Sequence, residues 1–347
     1  MSPLHPDRAP LHPERAKRVE GLFALALFLS LAGCAPSDSK TSSEPTPPAT
    51  LTHFVTGNDA DADVSALGGA ILMGGSTDVD AAFQWASDRA AGGDLVVLRT
   101  TGSDGYNDYL FDDIGGFDSV ETMLVTTRAL AEDPYVVSRV ERAEVIFLAG
   151  GDQWTYVDNW NDTSLEDAIH AAVGSGAIIG GTSAGLAVLG EIAFTAEIDT
   201  VTSAEALADP FDPLVTLDGF LTLPLLAGVV TDSHFGARDR MGRLIAFHAR
   251  VITDALATSP IGIGVDEETA LVIDASGAGS VLGTGNVYLV MSTAPPAHCV
   301  AGDPLVHSVE VHRMSAGDSA TFPGAISDSV PYAVLASNGV LQPASPY

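Results

Sequence analysis

The chain is poor in cysteine and in basic side chains. Its 347 residues include two cysteines, and 15 Lys and Arg stand against 45 Asp and Glu, which gives a formal net charge of −30. A surface with this excess of negative charge repels phosphate groups. We therefore expect no nucleic-acid partner and no attraction of the folded domain to anionic lipid headgroups. We expect Cys34 to carry a lipid, which leaves Cys299 alone and excludes an internal disulfide and a cysteine-based metal site.

Several short motifs are also missing. The chain has no G-x-x-x-x-G-K-[ST] phosphate loop, and its nine histidines form no H-x-H or H-E-x-x-H pair. The glycine-rich stretch 277–285 does not match G-x-G-x-x-G, and we predict a turn there. The sequence therefore gives no support for a metal site or for a cofactor, and we expect neither.

Apolar material is abundant, with 46% hydrophobic residues and a mean hydropathy of +0.25. This composition excludes disorder for most of the length. We predict a single folded domain over residues 53–347, with a β-rich C-terminal extension.

The first 33 residues predict an export signal. A basic leader precedes the apolar run Gly21–Leu31, which is too short to span a bilayer comfortably. Cys34 follows directly in a sequence similar to a bacterial lipobox, so we expect it to be lipidated; an ordinary signal peptide is the alternative. By resemblance to lipoprotein sorting in Gram-negative bacteria, Ala35 rather than Asp after the cysteine favours the outer membrane. Residues 34–52 are rich in Ser, Thr and Pro and predict a disordered tether.

Short apolar runs alternate with amphipathic stretches from about residue 68. Uniformly apolar strands between helices indicate a parallel sheet covered on both faces, and thus an α/β three-layer sandwich with a mostly parallel central sheet. The segment around Val120, Met123 and Leu124 has helical spacing, and we predict a helix there. Sites in such folds lie at the carboxyl ends of the strands. The predicted strand runs are 70–73, 95–98, 145–148, 177–179, 225–230, 261–265, 270–273, 287–291, 309–312 and 332–335.

Ser183 is the candidate nucleophile. It lies in G-T-S-A-G at 181–185, which fits G-x-S-x-G, follows a strand-like run and opens a helical stretch of small residues. In such an elbow the Ala184 amide points at the developing oxyanion. A plain βα turn with Ser183 as a helix N-cap is the alternative.

His234 is the favoured base among the nine histidines. It follows the apolar stretch 225–230 and should lie at a strand end, whereas the others have ordinary positions in helices, in the C-terminal region or at the start of the domain. Spacing alone favours His234 without excluding the other histidines.

Four blocks in this order resemble the cyanophycinase branch of the S51 serine peptidases. They are G-G-D-Q at 150–153, G-T-S-A-G at 181–185, D-x-H-F-x-x-R-x-R-x-G-R-L at 232–244 and G-I-G-V-D-E at 262–267. The resemblance covers about residues 68–275. It implies a flavodoxin-like or class I glutamine-amidotransferase-like sandwich, which agrees with the α/β pattern.

The resemblance also implies a triad of Ser183, His234 and Glu267, with an oxyanion hole from the backbone N–H groups of Ala184 and Gly151. The acid is the least determined member. Asp266 and Glu268 adjoin Glu267, and a related branch places its acid between Ser and His, where Asp232 is available.

Four of the 15 basic residues, Arg238, Arg240, Arg243 and Arg250, fall within a short stretch after His234. Cations near a helix start oppose the macrodipole, so either nearby acids compensate them or they hold substrate carboxylates. In the family, five matching positions are associated with gripping a β-aspartyl-arginine unit: Gln153, Asp232, Arg238, Arg240 and Arg243. Ser233 departs from the pattern, in which Gln is more usual.

The resemblance implies a serine exopeptidase that releases β-Asp-Arg dipeptides from cyanophycin (multi-L-arginyl-poly-L-aspartate) or cuts a related β-aspartyl peptide. The alternatives are a dipeptidase for N-terminal Asp or isoaspartyl peptides and a non-catalytic ligand-binding lipoprotein on the same fold. The expected partners are the peptide substrate and a membrane reached through the lipid anchor only. The sequence leaves the oligomeric state open, with a homodimer as one expectation.

Overall fold

The apolar runs of the sequence form buried strands in the computed structural model, which describes residues 44–347. The predicted signal segment 1–33 and Cys34 lie outside the described residues. Residues 45–347 form one compact unit, in which Leu51 is already buried. Between residues 44 and 347, no helix has both the length and the apolar character that crossing a membrane requires.

The eighteen strands of residues 44–347 include one at each of the ten predicted runs, although the run 225–230 begins in a 3₁₀ turn and only its end belongs to a strand; the other eight strands were not predicted. In chain order they are β1 (Thr52–Gly57), β2 (Gly69–Met73), β3 (Asp94–Arg99), β4 (Ser119–Leu124), β5 (Val145–Leu148), β6 (Ile178–Thr182), β7 (Ile192–Phe194), β8 (Leu217–Gly219), β9 (Val229–Asp232), β10 (Ile261–Val265), β11 (Thr269–Asp274), β12 (Ala278–Gly283), β13 (Val287–Met291), β14 (His307–Met314), β15 (Ser319–Thr321), β16 (Ile326–Ser327), β17 (Tyr332–Ser337) and β18 (Val340–Gln342).

The α-helices fall between these strands. They are α1 (Asp80–Ala90), α2 (Arg128–Ala131), α3 (Pro134–Arg142), α4 (Gln153–Trp160), α5 (Ser164–Gly174), α6 (Ala184–Ala187), α7 (Ser203–Ala208) and α8 (Met241–Thr253). A π-helical turn spans Tyr109–Ile114 and a 3₁₀ turn spans Pro224–Leu226.

The first sheet has ten strands in the order β1-β4-β3-β5-β6-β2-β11-β12-β15-β16. Its central strands β4, β3, β5, β6 and β2 are mutually parallel, and the strands on either side are antiparallel. Neighbouring residues along β3 point to opposite faces, so Val96 packs in the core with α3 and α5 while Val97 packs in the core with α1. The predicted three-layer α/β arrangement is confirmed.

A second sheet of eight strands was not anticipated as a separate layer. Its order is β18-β17-β14-β13-β10-β9-β7-β8, and β7, β9 and β10 run parallel within it. Helix α8 packs against β9 and β10, so Leu244 and Phe247 lie in a core with Tyr288 of β13. The segment after residue 275 divides between the two sheets: β12, β15 and β16 extend the first, and β13, β14, β17 and β18 build the second.

Two local predictions were wrong. The segment around Val120 and Met123 is strand β4 rather than a helix, because a strand paired on both edges and buried on both faces shows no alternation. The stretch 277–285 contains β12 rather than only a turn. A side chain at Gly277 or Gly279 would collide with Phe322, so these glycines let the chain after β15 approach β12 closely.

Candidate active site

Ser183 sits in a strained turn between β6 and α6. Its φ of 53° and ψ of −113° lie outside the regions that L-residues favour, and its N–H donates to the Met73 carbonyl at 3.2 Å. The flanking positions must be glycine, because any side chain there would clash with the neighbouring backbone. A Cβ on Gly181 would lie 2.6 Å from the Gly185 backbone, and a Cβ on Gly185 would lie 2.0 Å from the Leu148 carbonyl oxygen.

His234 lies directly beyond β9 and faces Ser183. Its backbone N–H donates to the Gly74 carbonyl at 2.7 Å, and its Nε2 lies 2.8 Å from Ser183 Oγ. On the other side of the ring, Nδ1 lies 2.6 Å from Glu267 Oε1. With the proton on Nδ1 donating to the carboxylate, Nε2 accepts the serine hydroxyl proton, which is the arrangement that activates a serine nucleophile.

The structure shows which of the three neighbouring acids contacts His234, a choice that the sequence left open. Glu267 contacts His234, whereas the Asp266 carboxylate accepts the N–H groups of Gly236 at 2.8 Å and Asn286 at 3.0 Å. Glu268 is exposed, and its backbone N–H donates to the Gly75 carbonyl at 3.0 Å. Of these three neighbours, Glu267 is the one that reaches the imidazole.

The three residues come from both sheets. Ser183 follows β6 of the first sheet, and His234 and Glu267 follow β9 and β10 of the second. The loop after β2 joins them, because the Gly74 carbonyl accepts from His234 and the Gly75 carbonyl from Glu268. Gly75 is the residue that sequence reasoning missed here. Its signal was a glycine pair directly after a buried strand.

The electrostatics favour a neutral imidazole. Burial lowers the pKa of His234, and the positive charges of Arg238 and Arg240 lower it further, while the hydrogen bond to Glu267 raises it. His234 therefore remains unprotonated, and able to act as a base, to pH values below its ordinary range.

The proposed oxyanion donors follow two neighbouring strands, β6 and β5. Ala184 begins α6, so its N–H is one of the amides at a helix start that have no partner within the helix. Gly151 follows β5, the strand next to β6, in the loop that leads into α4. Their role in holding an oxyanion stays a prediction.

A cleft of about 360 Å³ is lined in part by three arginines. It adjoins the triad at Arg238, whose backbone N–H donates to the His234 carbonyl at 3.0 Å. Arg238 is exposed, and Gln153 donates to the Phe194 carbonyl at 3.2 Å. Arg240 is half-buried and donates through Nη1 to the Ser233 carbonyl at 2.8 Å and to the Ser233 hydroxyl at 3.3 Å. The lining comprises Gln153, Ala196, Thr200, Val201, Thr202, Ser203, Arg238, Arg240 and Arg243.

Asp232 and Arg243 are placed differently from the other matching positions. The two side chains are each 3% exposed and form a two-pronged ion pair, with Arg243 Nε 2.7 Å from Oδ2 and Nη2 2.6 Å from Oδ1. The acid that compensates Arg240 and Arg243 at the start of α8 is therefore Asp232.

Within residues 44–347, no group of three or more His, Cys, Asp or Glu side chains is arranged to hold a metal ion.

Comparison with known proteins identifies the family. The model of peptidase family S51 matches residues 109–281. The chain is 35% identical over 221 residues to the cyanophycinase of Synechococcus elongatus, covering 61% of this chain and 63% of that protein. It is 33% identical over 217 residues to the cyanophycinase of a Nostoc species, covering 60% of this chain and 67% of that one. The chain belongs to peptidase family S51.

A solved structure supports the fold. The crystal structure of a peptidase from an acI-B1 Actinobacterium superposes with a TM-score of 0.51 and 21% sequence identity, covering 74% of this chain and 98% of that one. This likeness concerns the fold alone.

Replacing Gly75 by alanine should lower kcat/KM by about 100-fold, because the loss of alignment at a reacting centre has effects of this order. The new Cβ would lie 2.6 Å from His234 Nε2 and 3.1 Å from Ser183 Cβ, at a φ of +95°. Gly92→Ala is the control, since its φ is +77° and nothing lies within 4 Å of the added carbon. A folded Gly75→Ala enzyme with wild-type kcat/KM would contradict this geometry.

Asp78 should destabilise the protein at neutral pH. Its Oδ1 and the neighbouring Thr182 Oγ1 are buried and have no hydrogen-bond partner of good geometry in the described part of the chain. Burial raises the Asp78 pKa and the negative charge of Asp80 raises it further, although the hydroxyl groups of Tyr106 and Thr182 lower it. A raised carboxyl pKa means that the folded state gains stability as the pH falls through that pKa toward the unfolded value of 3.8.

Asp78→Asn should therefore raise the free energy of unfolding at pH 7 by about 1 kcal/mol, seen as a Tm about 2 °C higher. The gain should shrink as the pH approaches 4, and the exposed Asp112→Asn should show neither effect. Thermal melts between pH 4 and 8 measure this, and a gain independent of pH would contradict the buried carboxylate charge as its cause.

Proposed function

We propose that this protein is a serine exopeptidase that hydrolyses cyanophycin, or a related β-aspartyl peptide, to β-Asp-Arg dipeptides. The observation that carries the proposal is the continuous chain from Ser183 Oγ through His234 to Glu267, at 2.8 and 2.6 Å, beside an arginine-lined cleft. The two relatives named above are cyanophycinases, and the chain spans 63% of the length of the Synechococcus protein.

The reaction follows from the geometry. His234 Nε2 takes the proton of Ser183 Oγ as the oxygen attacks the scissile carbonyl carbon, and Glu267 stabilises the imidazolium that forms. The N–H groups of Ala184 and Gly151 hold the oxyanion of the tetrahedral intermediate. Collapse transfers the proton from His234 to the leaving amine and leaves an acyl-enzyme on Ser183. Water, deprotonated by His234, then attacks the acyl carbon; the bond to Ser183 Oγ breaks, the acid product leaves, and His234 returns the proton to Ser183 Oγ.

The cleft fits an acidic substrate. The Arg238 side chain is exposed, and among residues 44–347 no hydrogen bond is made by Nε or Nη2 of Arg240. Guanidinium groups bind carboxylates in a two-pronged geometry, so these two arginines can receive the carboxylates of a β-aspartyl unit. Ser233 bonds to Arg240 where Gln is more usual, which is why the proposal includes β-aspartyl peptides other than cyanophycin.

The test is an assay of the purified protein, without its predicted signal segment, against isolated cyanophycin. We expect release of β-Asp-Arg, and we expect a fluorophosphonate probe to label Ser183 in the mass spectrum of its peptide. Cleavage of Asp-X or isoaspartyl dipeptides without cleavage of polymer would replace this substrate by that of a dipeptidase. Ligand binding with no hydrolysis and no labelling of Ser183 would overturn the enzymatic proposal in favour of a binding lipoprotein.

We also propose that the protein is exported and held in the outer membrane through a lipid on Cys34. The apolar run 21–31 followed by Cys34 supports this proposal. In a Gram-negative host, Cys34→Ser should move the protein from the membrane fraction to the soluble fraction. Detection of an unmodified N-terminal peptide that begins beyond Cys34 in the wild-type protein would rule out the anchor.

A further inference from the structure

The Asp232–Arg243 pair is almost fully buried where Arg243 borders the cleft, and each of the two side chains is 3% exposed. Besides its two bonds to Asp232, Arg243 donates through Nη1 to the Thr200 hydroxyl at 3.0 Å and to the Val201 carbonyl at 3.1 Å. Its guanidinium carbon lies 5.1 Å from the centre of the Phe194 ring. Nε, Nη1 and Nη2 thus each donate at least one hydrogen bond, and a substrate carboxylate could bind this guanidinium in a two-pronged geometry only by displacing one of these partners.

Asp232 is equally occupied. Oδ2 accepts from Arg243, and Oδ1 accepts from Arg243 at 2.6 Å, from the Ser233 N–H at 2.9 Å and from Arg240 Nη1 at 3.2 Å. One buried carboxylate thus joins two guanidinium groups. The carboxylate is 3% exposed and its Oδ1 already accepts three bonds, so a two-pronged contact with a third guanidinium, from a substrate arginine, would have to displace one of the two from a buried ion pair, which is costly.

The pair reaches both walls of the cleft. Through Thr200 and Val201 it holds the segment between β7 and α7, which is one wall. Through Asp232 it holds Arg240, which belongs to the other wall. Arg240 is fixed at Nη1 by Asp232 and Ser233, so its remaining nitrogens have a defined direction.

We propose that Asp232 and Arg243 are positioning residues that set the spacing of the cleft walls and the orientation of Arg240, and that neither touches the substrate. The substrate anion is bound by Arg240 and Arg238. This reassigns two of the five positions that the family resemblance associates with substrate, and its kinetic consequences rest on the proposed function.

Charge supports the assignment. Burial and the neighbouring arginines lower the pKa of Arg240 to about 10, whereas Asp232 raises it. Asp232 thus keeps Arg240 charged as well as oriented. Without Asp232, two closely placed guanidinium groups would be left to repel each other.

The first experiment needs no substrate. In amide hydrogen exchange, Arg243→Lys keeps the charge but loses the two-pronged pair. We expect the amides of residues 200–202 and 238–240 both to exchange about 10-fold faster or more, since this corresponds to the loss of roughly 1.4 kcal/mol of local protection. Arg250→Lys is the matched control, because Arg250 lies on the same helix and pairs with Asp254 instead.

The exchange result decides the positioning role. Unchanged protection of both segments in Arg243→Lys would overturn it. If that variant does not fold, Thr200→Val removes a single bond and should loosen residues 200–202 only; no change there would likewise contradict the proposal.

The second experiment separates positioning from direct contact with substrate. Asp232→Asn is assayed on β-Asp-Arg peptides and on peptides with citrulline, an uncharged isostere of arginine. We expect KM to rise about 10-fold on both substrates with kcat within about threefold, as for a misplaced ion-pair partner. In an Arg240→Gln background, Asp232→Asn should add little.

Loss confined to the arginine substrate, or additive losses with Arg240→Gln, would show that Asp232 binds the substrate guanidinium and would overturn the proposal. Failure of the proposed function gives a different result. In that case the wild-type protein cleaves neither peptide, and hydrogen exchange alone decides the positioning role.

Discussion

Replacing Ser183 by alanine is expected to lower kcat by about 10⁴- to 10⁶-fold, because removal of a triad nucleophile has effects of this size. Ser183 Oγ is the atom held by His234 Nε2 at 2.8 Å, and alanine leaves no oxygen to form the acyl-enzyme. Since alanine removes only one partly exposed oxygen, substrate affinity should change little. Single-turnover assays with binding measured separately by calorimetry distinguish the two quantities.

Two controls accompany the Ser183 variant. The exposed Ser65→Ala should retain full activity, since Ser65 lies before β2 at the opposite end of the sheet. Circular dichroism should show that Ser183→Ala is folded. Release of product by this variant at an undiminished rate would rule out the acyl-enzyme mechanism.

Replacing Glu267 by glutamine is expected to lower kcat by about 10³- to 10⁴-fold, as for the loss of charge at the orienting acid of a triad. The carboxylate accepts the Nδ1–H of His234 at 2.6 Å, and an uncharged amide cannot stabilise the imidazolium in the same way. Because the bond to Glu267 raises the His234 pKa, that pKa should fall further in the variant. The acidic limb of kcat/KM should therefore move to lower pH.

The neighbouring acids provide the matched comparison. Glu268→Gln should leave kcat within about twofold, since its side chain is exposed and its backbone makes the contact with Gly75. Asp266→Asn should mainly lower the Tm, since its carboxylate accepts two backbone N–H groups. An acidic limb that stayed in place in Glu267→Gln, or a larger loss in Glu268→Gln, would assign the orienting role to a different acid.

The nucleophile could be located in the sequence because its geometry is local. The strand, the sharp turn and the short helix around Ser183 occupy consecutive residues, and the glycines that the turn requires lie two positions away on each side. A pattern of this kind depends on steric contacts between near neighbours in the chain, and so it can be read from composition and spacing.

The local prediction at Val120 failed for the opposite reason. Strand β4 is paired with β3 and β1, and its buried Glu121 is matched by Arg139 and Tyr135 from α3. A central strand buried on both faces carries no alternation, and spacing of three between apolar residues imitates a helix. Partners distant in sequence decided the conformation.

By itself the sequence determined the α/β class, the elbow at Ser183 and the excess of acid over basic side chains. These features depend on composition and on contacts within a few residues. Only the tertiary structure decided that Glu267, rather than Asp266 or Glu268, faces His234. It also decided that, in a chain with few basic side chains, Arg238 and Arg240 face the cleft while Arg243 is paired with Asp232. The physical reason is that adjacent side chains leave a strand end in different directions, and only packing against a second strand or helix fixes which one meets a partner.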